Sequence, residues 1–156
     1  NSSGMNDGAA AIVLAGEEAV KRHNLTPLAE LVAYTQAALE PDVMGLGPVP
    51  AVRALLQASG RSLSEMEVIE LNEAFAAQSL GVMTEWAQEH DLTLDEILSR
   101  TNPNGGAIAL GHPIGASGAR ILTTLLYELE RRDAKTGLAS LCIGGGMGTA
   151  CLIERV

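Results

Sequence analysis

Aromatic residues are scarce in this chain. One Phe, one Trp and two Tyr make up 3% of it. So small a set excludes the stacking platforms on which single-stranded nucleic acids lie. Basic residues are also few. Ten Lys and Arg face nineteen Asp and Glu, for a formal net charge of −9. A surface of that sign repels a phosphate backbone, so nucleic acid is excluded as a partner. The two cysteines, Cys142 and Cys151, cannot build a disulfide framework. A reduced, cytoplasmic setting is the expectation. Three histidines and two cysteines show no metal-ligand spacing, so no metal site is expected. No run of about 18 apolar residues lacks a charge, which excludes a membrane-spanning helix. A basic-then-apolar leader is absent at the start. So is an initiator Met: the chain opens on Asn1 in a loop-like stretch, as expected for a piece of something longer.

Apolar residues, by contrast, are plentiful. Hydrophobic residues are 47% and charged residues 19% of 156, enough for one folded domain over 1–156. Ala9 to Leu14 is an apolar run suited to a buried strand or a helix. Glu17 to His23 reads as a short helix. Leu28 to Thr35 reads as a strand. Three prolines and two glycines make Pro41 to Pro50 an ordered loop. Pro50 suits a first helical turn that ends near Gly60. Val68 to Leu71 is a short β-prone segment. Ala76, Leu80, Met83 and Ala87 put an apolar face on a helix over Phe75 to Glu89. Ser62 to Glu65 and Thr93 to Glu96 carry capping-box spacing. Ile121, Leu122, Leu125, Leu126 and Leu129 mark a strong helix. Leu138 to Ile143 and Thr149 to Ile153 read as two strands of a hairpin. Strands alternating with helices, ending on a hairpin, predict an α/β fold with a mixed sheet.

Three positions stand out chemically, each with a plain alternative. His112 sits between Gly111 and Pro113 in a glycine-rich run, Asn104 to Gly118, that precedes the strong helix. Rigid neighbours would fix its imidazole, as a general base needs. The alternative is a histidine bonded to backbone in a tight turn. Asn72 lies between a strand and a helix. Its amide could fix a water or an oxyanion, or it could be the helix N-cap, with Glu73 favouring the positive helix end. Cys142 ends a strand at a glycine loop, where there is room for a substrate. Free cysteines are more often inert core residues, and Cys151 reads as one. Gly144 opens that loop and has a plain reading as turn residue. His23 and His90 follow charged helix faces and read as solvated.

Taken together, three motifs resemble the thiolase family. They are Asn72-Glu73-Ala74-Phe75-Ala76-Ala77-Gln78, the stretch Asn104 to Gly118, and Cys142-Ile143-Gly144-Gly145-Gly146-Met147-Gly148. The opening Asn1 to Ala11 and the loop Val43 to Pro48 add to the likeness, which runs over essentially the whole chain. It implies the C-terminal half of a subunit with two α/β halves. Each half is βαβαβαββ around a five-stranded mixed sheet with helices on both faces. The family's nucleophilic cysteine and most of its coenzyme A site belong to the other half, and nothing here matches the nucleophile's motif.

The resemblance implies a transferase that reversibly condenses two acetyl-CoA to acetoacetyl-CoA and CoA through an acyl-cysteine. His112 would raise the thiolate character of the nucleophile. With a water held by Asn72 it would also form an oxyanion hole. Cys142 would be the second acid/base. The Gly144 N–H would help hold a tetrahedral oxyanion, and Met44 with Phe75 would line the acyl pocket. No cofactor is implied, since the coenzyme A thioester is the substrate. A dimer or tetramer, a place in fatty acid metabolism and a missing N-terminal half as partner are implied as well. The alternatives are a 3-ketoacyl-CoA thiolase of broader chain length and a non-catalytic acyl-CoA-binding module. The two-histidine pattern of a ketoacyl synthase does not fit Asn72 and Cys142. Pro103 removes a backbone donor from any strand near it.

Overall fold

The computed structural model describes all of residues 1–156. Six helices and four strands follow one another along the chain. They are α1 (Glu17–His23), β1 (Ala29–Ala38), α2 (Pro48–Ser59), β2 (Val68–Leu71), α3 (Ala76–Glu89), α4 (Leu94–Leu98), α5 (Ala107–Leu110), α6 (Ser117–Arg132), β3 (Thr136–Ile143) and β4 (Met147–Arg155). The strands form one mixed sheet in the order β1-β4-β3-β2. β2 runs parallel to β3, and β4 is antiparallel to both β3 and β1. The hairpin β3–β4 turns through Gly144, Gly145 and Gly146.

Helices cover both faces. On one, Val52 and Leu55 of α2 pack with Val82 and Trp86 of α3 against Ile69, Leu71, Leu138 and Leu152. On the other, Ile121, Leu125 and Leu129 of α6 pack against Val68, Ala139 and Ile153. Those three α6 residues are spaced i, i+4, i+8, which is why one helix face meets the sheet. β2 is buried along its whole length because it lies between the two layers.

The sheet has four strands where five were expected. The fifth is reduced to one residue: Thr101 makes a single parallel bridge to Ile69 at the free edge of β2. Ile69 N–H donates to Arg100 O at 2.9 Å, and Asn102 N–H to Ile69 O at 2.8 Å. The backbone then leaves the sheet, because Asn102 has φ +48° and Pro103 follows. The Asn102 side chain takes over the next rung. Its Oδ1 accepts from Leu71 N–H at 2.9 Å and its Nδ2 donates to Leu71 O at 2.7 Å. A side-chain amide here replaces the peptide that Pro103 cannot supply.

Three local expectations are corrected. Ala9 to Leu14 is neither strand nor helix but exposed chain. Residue Phe75, not Asn72, is the N-cap of α3. His90 is half-buried with its Nε2 unpartnered, rather than solvated, and burial lowers its pKa below the usual 6.5. Both capping boxes form, at Ser62/Glu65 and Thr93/Glu96.

Candidate active site

The parallel strands β2 and β3 end at the same edge of the sheet. In open α/β sheets, the carboxyl ends of strands are where loops converge on a ligand. Asn72 follows β2 directly. Its N–H donates to Ser140 O at 3.0 Å, which carries the ladder one step past the strand. Cys142 lies near the end of β3, paired with Gly148.

His112 reaches this edge from the loop between α5 and α6. Gly111 before it has φ +99°, and a Cβ there would sit 2.7 Å from Asn6 Oδ1. Only glycine fits that backbone and that space. The His112 N–H donates to Gly4 O at 3.1 Å and Asn6 Oδ1 at 3.2 Å. The N-terminal loop is itself tied to the end of β2. Ser3 N–H donates to Ala74 O at 3.0 Å, and Ala76 N–H to Asn1 O at 2.9 Å. Asn1 to Asn6 therefore join the Asn72 segment to the His112 loop.

Proton accounting fixes the imidazole. Its Nδ1 lies 2.6 Å from Ser117 Oγ, in the first turn of α6. The Ser117 hydroxyl donates its one proton to Pro113 O at 3.1 Å. Nδ1 must then carry the proton that Oγ accepts, and Nε2 keeps a free lone pair. Nε2 faces Asn72 Nδ2 at 3.4 Å, a long contact in which only the amide can donate. Burial lowers the His112 pKa from 6.5, and the positive charge of Arg120 acts in the same direction. The ring is therefore neutral at pH 7 and presents a base toward Asn72. Asn72 itself is buried, and its Oδ1 has no protein partner.

Cys142 is partly buried, and burial pushes its thiol above the usual 9.0. No hydrogen bond joins it to His112 or Asn72 in this chain. Cys151 sits mid-strand on β4 and is pushed up to about 11 by burial. Gly144 is exposed at the turn, and a Cβ there would meet nothing within 4 Å. The turn is fastened to the residue that follows β1, since Leu39 N–H donates to Gly146 O at 2.8 Å. Beside it, the backbone at Gly47 crosses that at Met147 and Gly148 so closely that a Cβ on either glycine would overlap the opposing backbone. That crossing holds the 3-10 turn Pro41–Leu46, with half-buried Met44, over the start of β4. Phe75 is 51% exposed and bridges to Ser2. Neither Met44 nor Phe75 lines the shallow cleft of ≈ 400 Å³ that opens beside His112, between residues 6–10 and 113–116.

The structure thus brings Asn72 and His112 together and places Cys142 and Gly144 on the neighbouring strand end. It adds Ser117 and Asn6, which the sequence reading did not assign roles. Ser117 carried a signal, as a hydroxyl five residues after His112 at the start of the helix. Asn6, more than 100 positions away, carried none. The sequence places Glu73 where it would favour the positive end of α3. Its carboxylate instead accepts from Ile108 N–H of α5 at 3.1 Å.

The match to known proteins is broad. Residues 25–155 fit the family model described as "Thiolase, C-terminal domain". The chain is 53% identical over 155 residues to an acetyl-CoA acetyltransferase of Paracoccus denitrificans, covering 99% of this chain and 38% of that protein. It is 51% identical to the mitochondrial 3-ketoacyl-CoA thiolase of Homo sapiens, covering 99% of this chain and 37% of that one. The crystal structure of the Bacillus anthracis acetyl-CoA acetyltransferase superposes with a TM-score of 0.90 at 47% identity, over 100% of this chain and 38% of that chain. The chain therefore spans well under half the length of these relatives.

Proposed function

Because the chain belongs to the thiolase family, we propose that it is the C-terminal half of the catalytic subunit of an acetyl-CoA acetyltransferase. The reaction is the reversible condensation of two acetyl-CoA to acetoacetyl-CoA and CoA. The observation that carries this reading is the chain of groups Ser117, His112 and Asn72. It holds a neutral imidazole with its Nε2 lone pair aimed at the strand-end edge.

The chemistry follows from that geometry. His112 Nε2 takes the proton of a nucleophilic cysteine borne by the subunit's other half. The cation so formed donates Nε2–H to the thioester or enolate oxygen, beside a water held by the free Oδ1 of Asn72. Cys142 is the second acid/base. Its raised pKa keeps it a thiol at rest, the form that returns a proton in the cleavage direction, and makes its thiolate a strong base once formed. The exposed Gly144 N–H helps hold a tetrahedral oxyanion, and Met44 and Phe75 border the acyl group. This route uses no metal or redox cofactor, since coenzyme A enters as part of the substrate. The setting is cytoplasmic fatty acid metabolism and the assembly a homo-oligomer, a dimer or tetramer. The isolated 156 residues, without nucleophile, are inactive.

The test uses the full-length subunit that carries this domain. His112→Ala and Cys142→Ala should each lower acetoacetyl-CoA cleavage by roughly 10²–10⁴-fold, the range of a lost acid or base. Wild-type turnover in both variants would overturn the proposal. Acetyl-CoA should also add one acetyl mass to the protein. A module that only binds acyl-CoA would gain none, and faster cleavage of longer 3-ketoacyl-CoA would make it a broad-chain thiolase.

A further inference from the structure

Asn72 and His112 are 40 residues apart in sequence, and no local element fixes their separation. Besides the Asn1 to Asn6 segment that joins them, it is set where the loop after Thr101 is fastened to the end of β2. Two side chains do the fastening. Asn102 pairs with Leu71 through both atoms of its amide, at 2.9 and 2.7 Å. Glu73 then bridges outward. Its Oε1 accepts from Asn102 Nδ2 at 3.3 Å, and its Oε2 from Ile108 N–H at 3.1 Å. Ile108 is the second residue of α5, four positions before His112. Its N–H is one of the helix-start donors that no backbone carbonyl can satisfy. Gly106 completes the fit, since a Cβ there would overlap the Glu73 carboxylate.

We infer that Glu73 is a positioning residue: through Asn102 and Ile108 it clasps the His112-bearing loop to the strand end that bears Asn72, and Gly106 is the space its carboxylate requires. Glu73 touches neither His112 nor Asn72 by hydrogen bond. It acts by setting their distance. A site that depends on placing an imidazole within hydrogen-bond reach is sensitive to shifts of about 1 Å, which can cost roughly 10²-fold in rate. The inference rests on the thiolase reading for its kinetic arm, but not for its structural arm.

Glu73→Ala, Gly106→Ala, Glu73→Gln and the Glu73→Ala/Gly106→Ala double variant test it. In the full-length subunit, Glu73→Ala and Gly106→Ala should each lower kcat roughly 10- to 100-fold, with KM within about threefold of wild type. Glu73→Gln should retain more activity, because one amide oxygen still accepts from Ile108 N–H. The double variant should be no slower than Glu73→Ala, since the new methyl group then has no carboxylate to displace. In the 156-residue chain, NMR titration of His112 should show its midpoint rising toward the ordinary value in Glu73→Ala and Gly106→Ala, as the loosened loop exposes the ring. Additive losses in the double variant, or an unchanged kcat with an unchanged His112 titration, would overturn the inference. If Glu73→Ala does not fold, Gly106→Ala and Glu73→Gln carry the same readouts. An inactive wild-type subunit would defeat the functional reading alone, and the His112 titration would still decide the clasp.

Discussion

Glu70 offers a quantitative test of how the sheet and α6 are packed. It lies on β2, on the α6 side with Val68, fully buried, and neither carboxylate oxygen has a hydrogen-bond partner. Burial pushes its pKa from 4.5 to about 7; Arg120 pulls it down, while Glu128 and Glu73 push it further up. A carboxyl whose folded pKa exceeds its unfolded one stabilises fully only below the unfolded value. As pH rises through the folded value, the native state must ionise a group that the unfolded chain has already ionised, and stability falls. The interval from 4.5 to about 7, at about 1.4 kcal/mol for each pH unit, is worth about 3 kcal/mol at alkaline pH. Glu70→Gln removes the ionisation and keeps the shape. Urea unfolding of the 156-residue chain should show the variant gaining on wild type as pH rises. Some of the interval is already spent by about pH 5.5, so the gain between about pH 5.5 and 8.5 should be about 2 kcal/mol. A variant whose advantage stays constant over that range, or whose stability falls below wild type at the alkaline end, would refute the reasoning. The second result would mean that ionised Glu70 is held by Arg120 more strongly than burial opposes it.

Two further outcomes follow from the site. Ser117→Ala removes the acceptor of His112 Nδ1–H, so the imidazole nitrogen shifts should move from one tautomer toward a mixture. The chain should also lose about 1 kcal/mol of stability, the net worth of a buried hydrogen bond; unchanged shifts would show that Ser117 does not set the tautomer. The Cys142 thiol, pushed up by burial, should react with iodoacetamide at neutral pH more slowly than a free cysteine peptide. Its rate should still be climbing about tenfold per pH unit where the peptide has levelled off, and a rate equal to the peptide's at pH 7 would contradict the assigned burial.

Periodic features were legible in the sequence because one element is enough to create them. The apolar stripe Ile121, Leu125, Leu129 specifies a helix face whatever it packs against, and α6 buries it. Both capping boxes involve residues three apart, and both formed. The hairpin at Cys142 was readable from glycines between two β-prone runs. The site residues His112, Asn72 and Cys142 stood out for a related reason: each sits where an element ends and the residue types turn small or rigid. Their spatial relation did not stand out. Ser117, five residues after His112, lies within a local window, but Asn6, which accepts from the His112 N–H, bonds across a fold of the chain that no local window contains.

Two segments show where that boundary runs. Thr101 was not read as strand, and it pairs with Ile69 for a single residue because Asn102 takes a left-handed φ before Pro103. What continues the ladder is a side chain, and a pattern built on backbone preference has no place for it. Ala9 to Leu14 is the converse. Its composition suits a buried strand, yet Val13 is 90% and Leu14 76% exposed, and no backbone hydrogen bond ties residues 8–15 to the sheet. A strand is a relation between two segments, since half its hydrogen bonds belong to a neighbour. An apolar run states only that a segment can be paired; whether it is paired depends on an edge being available. Here that segment makes no backbone hydrogen bond to the β1 edge of the sheet, and the β2 edge is closed by Thr101 and Asn102. The side chain that ends the sheet at β2 therefore also fixes one wall of the site, because the same Asn102 amide that caps Leu71 is held by Glu73, next to Asn72.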